Sequence, residues 1–393
     1  MPSTGSGSSA IFHNAAAAAG VVISAAALAY IAAAIWCLRA WRRRHIPVAA
    51  DLPPVSILKP LCGDEPELYE NLRSFCDQDY PAYQVVFGVR DAADPAIAVA
   101  RRLVDEFGPG KLSLVIDERV MGSNYKVSNL ANMMRTAHYD FLIIADSDIR
   151  VGRDYLRHVV GPLNDPGVGI VTCLYRGRAH GSPWARLGAM FINEWFLPSV
   201  LVARALGSSA FGFGATLGLR RGVLEGIGGF PALAAHLADD YMLGELTRGR
   251  GLRTVLSPYV VETLVHEPDA AALIHHELRW LRTIRSVQPW GYAGSWLTFT
   301  FPASLAGAAL LHNLPWSMLL PLLALALRVV LHYNARNGLQ SAASASVWLV
   351  PLRDILSFFI WSGSFLSRRV TWRRQELSVN SDGRIRMDKE LLP

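Results

Sequence analysis

Hydrophobic and polar positions change their spacing along the chain, and each change predicts a different kind of element. From Ala15 to Cys37 there is no charged residue in 23 positions. As a helix rising about 1.5 Å per residue, that run is long enough to cross a bilayer. From Val55 to Cys173 short apolar runs alternate with longer mixed ones. They predict strands at Val55–Leu58, Tyr83–Val89, Leu112–Ile116, Phe141–Ala145 and Gly169–Cys173, and helices at Glu65–Cys76, Pro95–Phe107, Asn124–Thr136 and Asp154–Val160. Such alternation predicts an α/β unit built on a mostly parallel sheet covered on both faces. Ser286 to Leu327 is a second charge-free run of 42 residues, enough for two spans broken near His312-Asn-Leu-Pro315. Ser341–Ser364 is apolar apart from Arg353-Asp354, whose charges must pair, face a bundle interior, or mark a segment lying along the interface.

These patterns divide the chain into a Ser- and Gly-rich disordered terminus (1–14), a transmembrane anchor (15–38), a cytosolic α/β domain that includes an interfacial helix (50–285), membrane helices (286–366) and a basic tail (367–393). Arg39, Arg42, Arg43 and Arg44 follow the first apolar run, whereas a cleaved signal peptide carries its charge before the run. The run therefore reads as a retained anchor, with everything after Arg39 on the cytoplasmic side. The tail pairs Arg368/Arg369 and Arg373/Arg374 also prefer that side, which conflicts with three further spans, so one C-terminal segment stays open as spanning or re-entrant.

Composition supports membrane residence: 51% of residues are hydrophobic and 18% charged, with a net charge of +6 concentrated beside the apolar runs. Clusters so placed suit a phospholipid bilayer with anionic headgroups rather than nucleic acid. Cys37, Cys62, Cys76 and Cys173 form no Cys-x-x-Cys pair, so neither a zinc site nor a disulfide framework is indicated.

Candidate chemistry starts at Phe141-Leu-Ile-Ile-Ala-Asp146-Ser-Asp148, an apolar strand that delivers two carboxylates at its end. A chain turning out of the sheet can aim both at one Mg²⁺ or Mn²⁺, the alternative being two solvated turn residues. Ligands of open α/β sheets lie beyond the carboxyl ends of the strands, which predicts a crevice where Lys59, Asp91 and Asp146 emerge. A nucleotide sugar suits that crevice: Asp91 can accept from base or ribose, and Asp94 can cap the helix that Pro95 opens. Lys126 begins a helix, where a cation asks for a nearby anion such as a diphosphate, unless it is an ordinary snorkelling lysine. Phe211-Gly-Phe-Gly-Ala-Thr216 allows close backbone approach to a ligand. Asp239 and Asp240 open a helix, where they either cap it or supply a general base. Arg279, Arg282 and Arg285 recur every third residue, as in a basic interfacial helix. In the sharper reading Arg279 meets the diphosphate and Trp280 the acceptor or sugar. His266 could complete a metal shell or be structural. No Gly-x-x-x-x-Gly-Lys-Ser/Thr or Gly-x-Gly-x-x-Gly occurs, so Walker and dinucleotide sites have no motif.

Together, Lys59-Pro-Leu-Cys-Gly63, Asp91-Ala-Ala-Asp94-Pro95, Asp146-Ser-Asp148, Ala238-Asp239-Asp240-Tyr241 and His276-Glu-Leu-Arg279-Trp280 resemble the ceramide-glucosyltransferase-like branch of the family 2 glycosyltransferases. The resemblance covers about residue 15 to the C-terminus. Within the branch the chain looks most like bacterial hopanoid-biosynthesis glycosyltransferases, a likeness that includes Asn193-Glu-Trp-Phe-Leu-Pro-Ser199. The resemblance implies a GT-A nucleotide-sugar-binding fold, a UDP-sugar donor, inversion at the anomeric carbon and a lipid acceptor, in a bacterial inner (cell) membrane. It matches Asp91 to the nucleotide-side aspartate, Asp146 to the metal-site aspartate and Asp240 to the base. Arg279 and Trp280 match the end of a (Gln/Arg)-x-x-Arg-Trp motif, with His276 where Gln or Arg is usual. Asp148 completes a full Asp-x-Asp, which leans away from a strict copy of the animal ceramide enzymes. The expected activity is transfer of one sugar, N-acetylglucosamine first, to a hopanoid polyol, with ceramide and UDP-glucose as the alternative. A transporter or scaffold with a cytosolic α/β domain would instead place its functional charges within its spans.

Overall fold

The computed structural model describes residues 5–44, 51–338, 346–367, 369–372, 375–379 and 384–390. Arg368, Arg373, Arg374, residue 50, the first four residues of the expected disordered terminus and the start of Ser341–Ser364 lie outside the described residues. Two compact units emerge, one comprising Arg44–Gly181, Gly207–His266 and Arg368–Pro393, the other Met1–Arg43, Ser182–Leu206 and Glu267–Ser367. The stretch 50–285 is thus not one piece, because Ser182–Leu206 and the chain from Glu267 onward belong to the second unit.

The first unit contains the α/β sheet. Its strands are β1 (Val55–Pro60), β2 (Tyr83–Val89), β3 (Leu112–Ile116), β4 (Phe141–Ile144), β5 (Ile149–Arg150), β6 (Val168–Ala179), β7 (Leu217–Arg220) and β8 (Arg253–Val265), in the spatial order β3-β2-β1-β4-β7-β6-β8-β5. β3, β2, β1 and β4 are parallel, as alternation predicts, but β7 runs antiparallel between β4 and β6, and β5 runs antiparallel to β8. The sheet is therefore mixed: β6 and β8 are parallel to each other, and the short β7 enters between β4 and β6 in the opposite direction.

Strands buried on both faces read as continuous apolar runs, and β1 and β2 are buried at every position. Ile57, Val85, Phe87 and Ile143 face a core with Leu72, Phe75 and Leu103 from the helices Leu68–Cys76 and Ala96–Phe107. Leu58, Val86, Leu142 and Ile144 face the opposite core, with Val127 and Leu130 from the helix Tyr125–Met133 and Leu243 from the helix Asp239–Gly249. Asp94 caps as expected: Oδ1 accepts from the Ala96 amide at 2.9 Å, and the carboxylate also accepts the Gly63 amide. The C-terminal stretch, expected only to be basic, forms an antiparallel meander of β9 (Arg369–Trp372), β10 (Gln375–Val379) and β11 (Ile385–Glu390). The Ile385 amide ties it to the Ala235 carbonyl at 2.8 Å.

In the helical unit the first helix begins at Gly5 and runs to Arg42, so residues 5–14 are helical rather than disordered. Once the Ala-rich run has nucleated a helix, each added residue contributes a hydrogen bond at little further cost. Among the described residues two helices are long and apolar enough to cross a membrane, Asn14–Arg42 and Leu319–Gly338. The uncharged run after Ser286 was expected to give two spans. It gives instead the 11-residue helix Thr300–Leu310 and the start of a 20-residue helix that continues past Leu327 to Gly338. The first helix and Thr300–Leu310 approach backbone to backbone: a Cβ on Gly307 would stand 2.1 Å from Ser24 Oγ and 2.8 Å from the Gly20 carbonyl.

The charges in the apolar helices pair inside this unit. Arg353, 1% exposed, makes two hydrogen bonds to Glu277, at 2.9 and 2.6 Å. Arg328 grips Asp354 at 2.9 Å, and His332 meets Glu194 at 2.7 Å on the π-helical turn Ile192–Phe196. Removing one partner of a buried pair strands the other charge at a cost of about 3–5 kcal/mol. Glu277→Ala is therefore expected to lower the thermal unfolding temperature of the detergent-solubilised protein sharply, whereas Glu277→Ala with Arg353→Met regains much of the loss. A single variant as stable as wild type in that melt would refute the pairing argument.

Candidate active site

β4 ends at Ile144, and the next residues leave the sheet. The Ala145 amide still bonds the Leu58 carbonyl at 3.2 Å, but the Asp146 amide turns to the Gly214 carbonyl at 3.1 Å. Three residues later β5 begins at Ile149 and pairs with β8, so Asp146 and Asp148 sit on a turn between two regions of the sheet. Lys126 Nζ lies 2.7 Å from Asp146 Oδ1 and 3.5 Å from Asp239 Oδ2. The anion expected opposite this helix-opening lysine is thus supplied within the chain. Burial alone would lower the proton affinity of Lys126, but Asp146, Asp239 and Asp240 together outweigh it and hold the ammonium well above the usual lysine range.

Asp239 and Asp240 diverge, as adjacent residues on one helical turn must. Asp239 accepts from Asn124 Nδ2 at 3.2 Å. Asp240 accepts the Gly214 amide on Oδ2 and the Tyr241 amide on Oδ1, both at 2.8 Å. Burial, then the neighbouring Asp239 carboxylate, pushes Asp240 up to about 6, against the lowering influence of Lys126 and the two amides. The Gly-interleaved turn makes these approaches possible. A Cβ on Gly214 would stand 2.6 Å from Asp146 Oδ2 and 3.1 Å from Lys126 Nζ, and one on Gly212 would stand 2.2 Å from the Asp240 carbonyl.

Lys59 was expected to emerge at the crevice and does not. β1 continues through it, and its side chain has no exposed surface. Its ammonium donates to the Asp146 carbonyl and lies 3.8 Å from the centre of the Phe75 ring. Burial pulls it down to about 7, opposed by Asp148, Asp146 and Glu65. Asp91 is exposed beyond β2, accepting from the Ala93 amide at 2.9 Å, and its neighbour Arg90 stacks 4.1 Å over Tyr125, beside Lys126.

Asp148 Oδ2 accepts from Thr263 Oγ1 at 2.6 Å. Burial and the Asp146 carboxylate raise its proton affinity, while Thr263 and Lys59 lower it. Two carboxylates that repel each other at a strand end, already drawing a lysine ammonium, are a donor set that fits Mg²⁺ or Mn²⁺, cations completed by water and substrate phosphates. His266 does not join them. It follows β8, exposed, with its ring 5.8 Å from that of His180, and among the described residues no three His, Cys, Asp or Glu side chains are grouped to hold a metal.

Arg279 and Trp280 belong to the helical unit, on the helix Ala270–Val287. His276 Nδ1 meets the buried Glu267 at 2.6 Å and turns its ring to the Trp280 indole, 4.5 Å between centres. Asn124 and Thr263 carry no sequence signal that marks them for the site. Asn124 was legible as a helix start, and its Oδ1 does accept the Val127 amide, but its bond to Asp239 spans 115 residues. Thr263 is one β-branched residue in an apolar strand and carries no local signal.

Comparison with known proteins joins this geometry to a family. Two curated relatives from Caenorhabditis elegans, ceramide glucosyltransferase 3 and ceramide glucosyltransferase 1, are each 23% identical over 87% and 88% of this chain and 77% and 76% of their own. A mannosyltransferase of Pyrobaculum calidifontis, solved with GDP-Man and Mn²⁺, superposes with a TM-score of 0.55 at 20% identity over 89% of this chain and 99% of its own, which shows a shared GT-A-type fold. The family profile described as glycosyl transferase family 21 matches residues 20–385, and the chain therefore belongs to that family of glycosyltransferases.

Proposed function

We propose that this protein transfers one sugar from a UDP-sugar to a hydroxyl of a membrane lipid, with inversion at the anomeric carbon. The observation that carries the reading is the convergence of Asp146, Asp239 and Asp240 on Lys126 against the Gly214 backbone, in a chain of this family. Asp240 takes the proton of the acceptor hydroxyl as its oxygen bonds to the anomeric carbon, and the bond from that carbon to the UDP oxygen breaks. Asp146 and Asp148 would hold Mg²⁺ or Mn²⁺, which supplies positive charge to the departing diphosphate. Lys126 adds a second cation to that side, and Lys59 acts through the Asp146 carbonyl it supports. Asp91 is assigned to the nucleoside. Arg279 is assigned to the diphosphate and Trp280 to the acceptor or sugar, on their match to the Arg-Trp motif and on guanidinium and indole chemistry.

The proposed setting is a bacterial inner membrane with the sheet unit in the cytoplasm, supported by the Arg39–Arg44 cluster that follows the first apolar helix. A hopanoid polyol with UDP-N-acetylglucosamine is the first acceptor and donor pair to assay. Ceramide with UDP-glucose is the second reading, favoured by the names of the two Caenorhabditis elegans relatives. Sealed membrane vesicles carrying the protein and either acceptor, given radiolabelled UDP-sugar from outside, test chemistry and orientation together. Inverted vesicles are expected to label lipid and right-side-out vesicles to stay blank. Labelling only in right-side-out vesicles would overturn the orientation, and no labelled lipid in permeabilised vesicles with either pair would overturn the activity.

A further inference from the structure

We propose that Thr263 is a positioning residue for the carboxylate pair, aiming Asp148 through its hydroxyl from the neighbouring strand. The inference rests on the reading of Asp146 and Asp148 as the cation-binding pair. β5 is only two residues long, and both of them pair with β8, Ile149 opposite Thr263 and Arg150 opposite Glu262. On the same strand the Leu264 amide donates to the Asp148 carbonyl at 3.2 Å. Backbone and side chain of Asp148 are thus both referenced to β8, while Asp146 is referenced to Gly214 and Lys126. The outer edge is tied as well. Glu67, held at a left-handed φ of 55°, accepts from Arg150 at 2.7 Å and from Arg178 at 2.5 Å, and Arg178 also bonds Glu262 at 2.7 Å. A non-glycine residue kept in that conformation costs free energy that its surroundings must offset, and here the offset is an ionic clamp across β5, β6 and β8.

Thr263 is 6% exposed and lies between Glu262 and Leu264, with the buried Val261 and Val265 two places away on its own side of the strand. Valine would satisfy packing and strand preference equally well, so the hydroxyl is needed only for Asp148. A carboxylate that ligates a metal is oriented by the groups hydrogen-bonded to it, and deleting such a partner costs about 10–100-fold in metal affinity.

The test is Mn²⁺ binding to the full-length protein in detergent with saturating UDP, read as loss of the free-Mn²⁺ electron paramagnetic resonance signal, for wild type, Thr263→Val and Thr263→Ser. Thr263→Val is expected to bind Mn²⁺ about 10–100-fold more weakly, with Thr263→Ser restoring affinity close to wild type because it keeps the hydroxyl. A purely structural role would move the melting temperature of Thr263→Val and leave the Mn²⁺ affinity of the folded fraction unchanged. Should Thr263→Val not fold, Thr263→Ala against Thr263→Ser gives the same comparison. Equal Mn²⁺ affinity with and without the hydroxyl overturns the inference while leaving the carboxylate pair intact. A wild-type protein that binds no Mn²⁺ overturns the pair and this inference together.

Discussion

Asp240→Asn is expected to keep UDP binding and to lower sugar transfer by about 10²-fold or more, the loss that follows removal of a general base. Asn preserves the shape, and its one carbonyl oxygen can keep the Gly214 or the Tyr241 amide bond but not both, since the two amides donate to different oxygens; a melting curve of the variant separates that local loss from loss of the proton acceptor. Asp239→Asn is expected to cost less, because that carboxylate is engaged with Asn124 and Lys126 rather than with the Gly214 turn. The same assignment fixes a pH dependence. Burial and the Asp239 charge push Asp240 up to about 6, so its basic form is present above that value and is lost as pH falls through it. Transfer by the wild type should therefore decline on the acid side with a midpoint near 6, and Asp240→Asn should lack that limb. Opposite placement of acceptor and leaving oxygens makes an α-linked donor yield a β-glycoside. An α product, or a fully active Asp240→Asn enzyme, would reject Asp240 as the base.

The parallel half of the sheet was legible because strands buried on both faces leave a short unbroken apolar run. Tyr83–Val89, buried at every position, has the boundaries that this pattern predicts, whereas the edge strand Leu112–Ile116, buried only at Leu112, is legible from its apolar composition alone. The reversal of direction in the other half was not: β6 and β8 leave apolar runs and β7 reads as a short strand, but a four-residue run carries no direction and the two-residue β5 no periodicity. The Asp-Ser-Asp turn was visible from the strand before it. Its surroundings were not: Lys126 is 20 positions away in sequence and Asp239 is 93, and local pattern carries no information on such pairings. Lys59 misled for a definite reason. A lysine near the end of an apolar strand is ordinarily exposed, yet this one is fully buried, because the Asp146 carbonyl and the Phe75 ring provide for its ammonium. Arg353 and Asp354 in an apolar helix demanded partners, and that demand was readable, but Glu277 and Arg328 as the partners were not.

Asp146→Ala should abolish metal-dependent donor turnover while the protein still folds. The fold survives because the Asp146 backbone keeps its own contacts, the amide to Gly214 and the carbonyl to Lys59, and these do not involve the side chain. What goes is one of the two carboxylates and with it the closest partner of Lys126, which retains Asp239 at 3.5 Å. Charge stabilisation of a leaving group by a bound cation is worth several kcal/mol, and each 1.36 kcal/mol is about a factor of ten in rate. A loss of roughly 10²-fold or more is therefore expected. Asp146→Asn should behave alike, since it preserves shape and removes charge, whereas a loss caused by disturbed packing would be milder in Asn than in Ala. Excess Mn²⁺ should fail to rescue either variant, because Asp148 alone is left to share the cation with the diphosphate. Donor turnover in detergent, measured against Mn²⁺ concentration for the three proteins and accompanied by a melting curve for each, decides the matter. Wild-type turnover by Asp146→Ala would remove Asp146 from the metal site, and turnover by wild type that survives exhaustive chelation unchanged would remove the metal from the reaction.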